Sequence, residues 1–243
     1  MRASADEMAG VGVNINGRRI NNLRYADDIV LIATSPNELQ QLLDRVDHVS
    51  TEYNLTISTS KTKVMSTSRE DEAINISCQG KRLEQVSSFK YLGSMISQDS
   101  NCEKDIRARL GMARSVITSL KTIWKDRSLS KQLKLKLMKS LVWPVATYGC
   151  ETWTLRKGDI RRIEAFEMYA YRKILNIPRR DHHTNDSVLE ERGTVRGLIR
   201  HIQTRKLQFF GHVTRANKLT ATILQGRLEG IRSRGKGEDR LMT

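Results

Sequence analysis

A chain of 243 residues with 38% apolar and 28% charged content carries enough hydrophobic side chain for one large or two small packed domains, which excludes a wholly disordered chain. Its formal net charge of +15 favours a polyanionic partner, nucleic acid first. No stretch reaches the roughly 18 to 20 consecutive apolar residues that a membrane span needs, and the first residues lack a signal-peptide core, so a soluble chain without a membrane partner is expected.

Residues 1–10 are polar and read as a frayed end. Val11 to Ile15 alternates, Asn16-Gly17 is a hairpin turn, and Arg18 to Leu23 resumes a strand. Leu23–Tyr25 and Ile29–Ala33 form a second pair with Ala26-Asp27-Asp28 at its tip, so 11–34 reads as one β-meander. Two adjacent carboxylates between apolar, β-branched flanks have two readings. They are an exposed turn, or they hold a hard divalent cation such as magnesium that offsets their placement against a buried strand pair.

Ser35-Pro36-Asn37-Glu38 opens a helix: Ser35 caps it, Pro36 takes the first position and Glu38 completes a capping box. Leu39, Leu42, Leu43, Val46 and Val49 share one face, which should pack on the meander. After Tyr53-Asn54, short strands are expected at Leu55–Ser58 and Lys63–Thr67. An acidic loop, Arg69 to Glu72, precedes strands at Ile74–Cys78, Leu83–Val86 and Phe89–Ile96.

From Asn101 the period becomes helical. Ile106, Leu110, Ala113, Ile117, Leu120 and Trp124 form a core seam, flanked by a basic stripe of Lys104, Arg107, Arg114, Lys121 and Lys125. A further helix stacks Leu129, Leu133, Leu137 and Leu141 until Pro144. Ile160, Ile163, Phe166, Ala170 and Ile174 mark another, ended by Pro178. Residues 179–187 read as a polar loop, Val188 to Val213 as two helices, and the Gly/Arg/Ser-rich tail from Gly226 as disordered.

The charge follows this division: residues 1–100 carry −2, residues 101–155 carry +7 and residues 156–243 carry +10. Cys78, Cys102 and Cys150 have neither disulfide-framework nor C-x-x-C zinc spacing and suit a reducing, intracellular compartment, nucleus and cytoplasm both fitting. His182-His183, His201 and His212 lack paired ligand spacing and read as loop or core histidines.

Tyr25-Ala26-Asp27-Asp28, Lys61-Thr62-Lys63, Phe89-Lys90-Tyr91-Leu92-Gly93 and the basic helices follow one another in an order that resembles reverse transcriptases of non-LTR (LINE-type) retrotransposons. The likeness covers the C-terminal part of the palm, the thumb and a C-terminal extension. It implies an α+β fold: a partial palm at 11–98, a helical thumb at 99–155, a basic helical extension at 156–225 and a tail at 226–243. By this resemblance Asp27 and Asp28 are the catalytic, metal-binding pair, for magnesium or manganese only if upstream residues complete the site and for no cofactor otherwise. Tyr25 and Ala26 face the primer end, and Lys61 lies near the phosphates of the incoming nucleotide. Phe89, Tyr91, Leu92 and Gly93 belong to a primer-grip hairpin, which from its residues alone is equally an ordinary hairpin with an aromatic pair. Lys104, Arg107, Arg114, Lys121 and Lys125 would track nucleic-acid backbone, a stripe that from its residues alone also reads as a solvated, lysine-rich face. The partners implied are an RNA template and an RNA/DNA hybrid duplex, with no obligate protein partner indicated.

Two departures stand out. The family usually has Gly near Asn54, and its Arg-Gly-Arg-Pro-Arg-like run is replaced by Ser233-Arg234-Gly235-Lys236-Gly237-Glu238-Asp239, a change that reads as a frameshift or truncation. About two dozen residues precede Asp27, without the upstream palm Asp or the fingers of the family. The expectation is therefore RNA-directed DNA polymerase ancestry in a fragment inactive alone, the alternative being a non-catalytic basic nucleic-acid-binding remnant.

Overall fold

The computed structural model describes residues 10–15, 17–67, 73–177, 184–192, 197–216 and 219–224. The expectations for the first nine residues, Asn16, the acidic loop, Pro178, His182-His183 and the tail lie outside that set. The fold is α+β, and the described residues divide into two compact units, one of those up to residue 89 with 212–216 and 219–224, the other of those within 90–211.

In the first unit, β1 (Val13–Ile15) pairs with β2 (Arg18–Ile20), and β3 (Asn22–Tyr25) pairs with β4 (Asp28–Leu31), both antiparallel. The expected meander is instead two separate two-stranded ribbons. Asn21 breaks the run between β2 and β3, and its carbonyl accepts the Ile32 amide at 2.8 Å. Helix α1 (Pro36–Glu52) starts as its sequence dictates: Ser35 Oγ accepts from the Glu38 amide at 3.3 Å. The Glu38 carboxylate reaches one residue further back than a standard capping box, accepting from the Thr34 amide (3.0 Å) and hydroxyl (2.7 Å). These two bonds hold its pKa below the usual carboxylate value.

The apolar face of α1 buries Leu42, Leu43, Val46 and Val49 as expected, but its main cover is not the meander. Leu43 packs with Val64, Ile76, Cys78 and Leu83, contributed by the short strands that follow. Burial also raises the Cys78 thiol pKa. Gln40 fixes the docking, since its amide donates to Ser77 O (2.8 Å) and accepts from Ser77 N (2.9 Å). Those strands are shorter than the sequence suggests, and Leu55–Ser58 forms none. β5 (Lys63–Val64) lies parallel to β8 (Glu84–Gln85), while β6 (Ser77–Cys78) and β7 (Lys81–Arg82) close a tight hairpin. Asn54 has φ +56°, the left-handed region where the family's glycine would be at ease and where asparagine is the best-tolerated substitute.

The second unit holds β10 (Ser94–Ser97), which pairs with β9 (Ser88–Tyr91), the strand in which the division falls. Helices follow: α2 (Glu103–Ser119), α3 (Lys121–Lys125), α4 (Lys131–Leu137), α5 (Trp143–Ala146), α6 (Lys157–Leu175), α7 (Asn185–Arg192) and α8 (Leu198–Arg215), within which the division falls again at His212, with α9 (Leu219–Leu224) in the first unit. The core seam of α2 and α3 holds: Ile106, Leu110, Ala113, Ile117 and Trp124 are buried against Met138, Val142, Trp143, Ile163, Phe166, Tyr171 and Ile174.

The leucine stack on the next helix does not hold. Leu133 and Leu141 are 42% and 43% exposed, and the buried stripe is Lys134, Met138 and Val142, one residue further on. Pro144 has no N–H to continue the ladder, and Met138–Val142 winds as a π-turn whose wider spacing rotates the frame. Lys134 tolerates burial because its ammonium donates to Trp124 O, the carbonyl at the end of α3, at 2.8 Å. In α6 the buried Glu167 accepts from Gly197 N (2.8 Å), Leu198 N (3.1 Å) and the Tyr171 hydroxyl, so one carboxylate caps the start of α8 from another helix. Its charge also suits the positive end of the α8 dipole.

Candidate functional site

The acidic hairpin is built by register. Tyr25 pairs with Asp28, leaving Ala26 and Asp27 as a two-residue turn, so Asp27 is at the tip and Asp28 begins the return strand. Tyr25 is 65% exposed, Leu23 47% and Ile29 36%, and both aspartates are exposed. The ribbon therefore presents its acidic tip in the open, and the buried strand pair expected from the apolar flanks is not there. Ala26 has φ +52°, a conformation that costs an L-residue roughly 1 kcal/mol relative to glycine. Ala26→Gly should accordingly raise stability by up to about 1 kcal/mol, read from the chemical-unfolding midpoint at unchanged m-value.

Carboxylate oxygens are the hard donors that magnesium and manganese take, so the chemistry of Asp27 and Asp28 fits such an ion. Their number does not complete a cage: among the described residues no cluster of three or more His, Cys, Asp or Glu side chains could hold a metal. Lys61 is exposed in the turn after α1, where its amide donates to Ser58 O at 3.1 Å. No ion pair joins it to either aspartate among the described residues.

The Phe89–Gly93 segment is a β9–β10 hairpin whose turn residues, Leu92 (φ +46°) and Gly93 (φ +88°), both lie in the left-handed region of a type I′ turn. Around the turn the second unit supplies contacts that the sequence did not announce. Arg109 donates to Gly93 O (2.5 Å) with its guanidinium 4.2 Å from the Tyr148 ring centre, and Tyr148 Oη donates to Leu92 O (3.0 Å). Asp105 accepts from Met95 N (2.9 Å) and Trp153 Nε1 (2.8 Å) and lies 4.0 Å from Arg109 Nε.

The basic stripe divides in two. Arg107 is tied to Glu103 at 2.5 Å, a carboxylate also held by Arg162 at 3.0 Å. Lys104 is exposed beside it. Further along, Arg114 lies 5.5 Å from the Tyr169 ring and Lys173 lies 5.8 Å from the same ring. Lys121 and Lys125 join Lys173, Ile117, Trp124 and Tyr169 around a cavity of about 120 Å³ that no described carboxylate lines. This concentration of positive charge is the arrangement most suited to a phosphate backbone. Sequence reading missed Lys173 because it comes from α6; its only local signal is the i,i+4 pairing with Tyr169.

Comparison with known proteins bears on the first unit and on most of the chain. The family model of the reverse transcriptase (RNA-dependent DNA polymerase) domain matches residues 7–96, which include the acidic hairpin, Lys61 and the Leu92–Gly93 turn. A transposon-derived protein of Caenorhabditis elegans is 31% identical over 211 residues, covering 84% of this chain and 75% of that protein. The chain belongs to the reverse transcriptase family. Within this reverse transcriptase homologue the likeness to the worm protein extends past the matched domain, so the helical, basic second unit is shared with a transposon-derived relative as well. No described helix is long and apolar enough to cross a membrane.

Proposed function

We propose that this chain is the palm-to-thumb portion of a LINE-type retrotransposon reverse transcriptase, with Asp27 and Asp28 as one side of its magnesium site. The observation that carries this reading is the two-residue turn that presents both carboxylates at an exposed tip, inside the stretch that matches the polymerase domain. Bound magnesium would stabilise charge on the transferred phosphate and on the attacking and leaving oxygens. Tyr25 and Ala26 would lie beside the primer end, Lys61 near nucleotide phosphates, and Phe89, Tyr91, Leu92 and Gly93 would form the primer-holding hairpin. In this reading residues 11–98 are partial palm, 99–155 thumb and 156–225 a basic extension. The cluster of Arg114, Lys121, Lys125 and Lys173 grips an RNA/DNA hybrid.

Two metals roughly 3.5 to 4 Å apart need more carboxylate than one Asp pair supplies. The chain alone is therefore expected to bind hybrid duplex without extending a primer. Primer extension on a poly-rA template with magnesium or manganese checks this. Incorporation by the wild type that vanishes in the Asp27→Ala, Asp28→Ala double variant would overturn the inactivity and assign the activity to the pair. A second reading, a nucleic-acid-binding remnant without catalysis, is favoured by the carboxylate-free basic cluster. It predicts that the double variant binds hybrid and responds to manganese as the wild type does.

A further inference from the structure

We propose that Asp105, Arg109, Tyr148 and Trp153 are positioning residues, a clamp that holds the Leu92–Gly93 turn where it can meet a primer terminus. The inference rests on the reading of the Phe89–Gly93 hairpin as a primer-holding element.

A type I′ turn at a hairpin tip needs no such support. Its carbonyls normally face water, and Asn-Gly forms it unaided. Here both turn carbonyls are held by the protein: Gly93 O by Arg109 at 2.5 Å and Leu92 O by Tyr148 Oη at 3.0 Å. The approach is close. A Cβ on Gly93 would meet Arg109 and Tyr148 atoms at 3.3 Å, and one on Gly149 would come within 2.8 Å of Ser94 Oγ. Met95 is fixed in turn, its amide donating to Asp105 at 2.9 Å.

The clamp is built of groups whose burial is unfavourable. Asp105 is 4% exposed and Arg109 8%. Arg109 Nε has no hydrogen-bond partner, and its distance to Asp105 is 4.0 Å. A buried ion pair of that kind stabilises a fold no better than well-packed apolar side chains; its attested use is to fix geometry. The geometry it fixes keeps Leu92 in the left-handed region, an unfavourable place for leucine, with its side chain 41% exposed. Strain held by surrounding structure and an apolar side chain turned outward are together what a contact residue needs.

The experiment uses the whole chain and an RNA/DNA hybrid whose primer carries a photoactivatable nucleotide at its 3′ end, with crosslinked peptides identified by mass spectrometry. Two variants probe the clamp. Tyr148→Phe removes one hydroxyl and keeps the ring under Arg109, and Arg109→Lys keeps the charge and loses the planar reach to Gly93 O. The expected result is crosslinking at Leu92–Ser94 in the wild type and a fall of roughly tenfold in yield at the turn in both variants, as misplacement of a positioned group produces. Affinity for a blunt hybrid and the thermal midpoint of Tyr148→Phe should stay close to wild type. Unchanged crosslinking at the turn in both variants would overturn the clamp alone. A wild type that crosslinks elsewhere would overturn the primer-holding reading, and the clamp's role with it.

Discussion

Asp105→Ala should unfold the second unit far more readily than any surface change, at a cost of about 3–5 kcal/mol. Three separate losses combine. Arg109, 8% exposed, keeps its charge without its nearest counter-charge; Trp153 Nε1 loses its acceptor in a site where the ring is 2% exposed; and Met95 N loses the bond that anchors β10. Since removal of one partner from a buried pair leaves the other charged and desolvated, the effect exceeds the net strength of the pair itself. Asp105→Asn, which keeps the shape and one acceptor oxygen, should cost clearly less. Denaturant unfolding followed by tryptophan fluorescence reads both, because Trp124, Trp143 and Trp153 all belong to this core. Equal midpoints for the wild type and the alanine variant would mean that the polar network carries no stability.

The second large effect concerns binding. Replacing Arg114, Lys121 and Lys125 together by alanine should lower the slope of log affinity against log salt by about 2.7 units, at about 0.9 for each phosphate no longer neutralised. At low salt the affinity for an RNA/DNA hybrid should fall by about two orders of magnitude, while the fold persists because all three side chains are exposed. Arg107 is the matched control. It is held by Glu103 at 2.5 Å, so its removal should change the slope by less than any member of the cluster. A fluorescence-anisotropy titration over a series of salt concentrations decides the point, and a slope unmoved by the triple variant would remove these residues from the interface.

The residues announced some of this arrangement and hid the rest for definite reasons. Helix α1 was legible because cap, proline and apolar face agree, and the α2–α3 seam because five of its six positions are buried. The acidic turn was legible from local pairing alone. The ribbon's exposure was not: apolar flanks on β3 and β4 look the same whether or not another element covers them. The helix after Ser130 misled because Leu-Lys alternation offers several stripes, and the π-turn ahead of Pro144 selects Lys134, Met138 and Val142. The clamp was invisible because Tyr148 and Trp153 reach Leu92 and Asp105 across 56 and 48 residues of sequence. No periodicity within a short window encodes such a meeting.

The strand pairing described for the first unit also has a kinetic side. β3–β4 and β6–β7 each join neighbours through a tight turn, the kind of structure that closes in roughly 1–10 microseconds. β5 and β8 are different: they run parallel and bring Lys63 beside Glu84 across 21 residues. That pair must overcome the entropy of a long loop before any bond offsets it, so its formation is expected to come late, once α1 has a hydrophobic surface on which Val64 and Leu83 can meet. Folding of this small core would then be timed by one two-residue ladder, and its hairpins would already be in place when it forms.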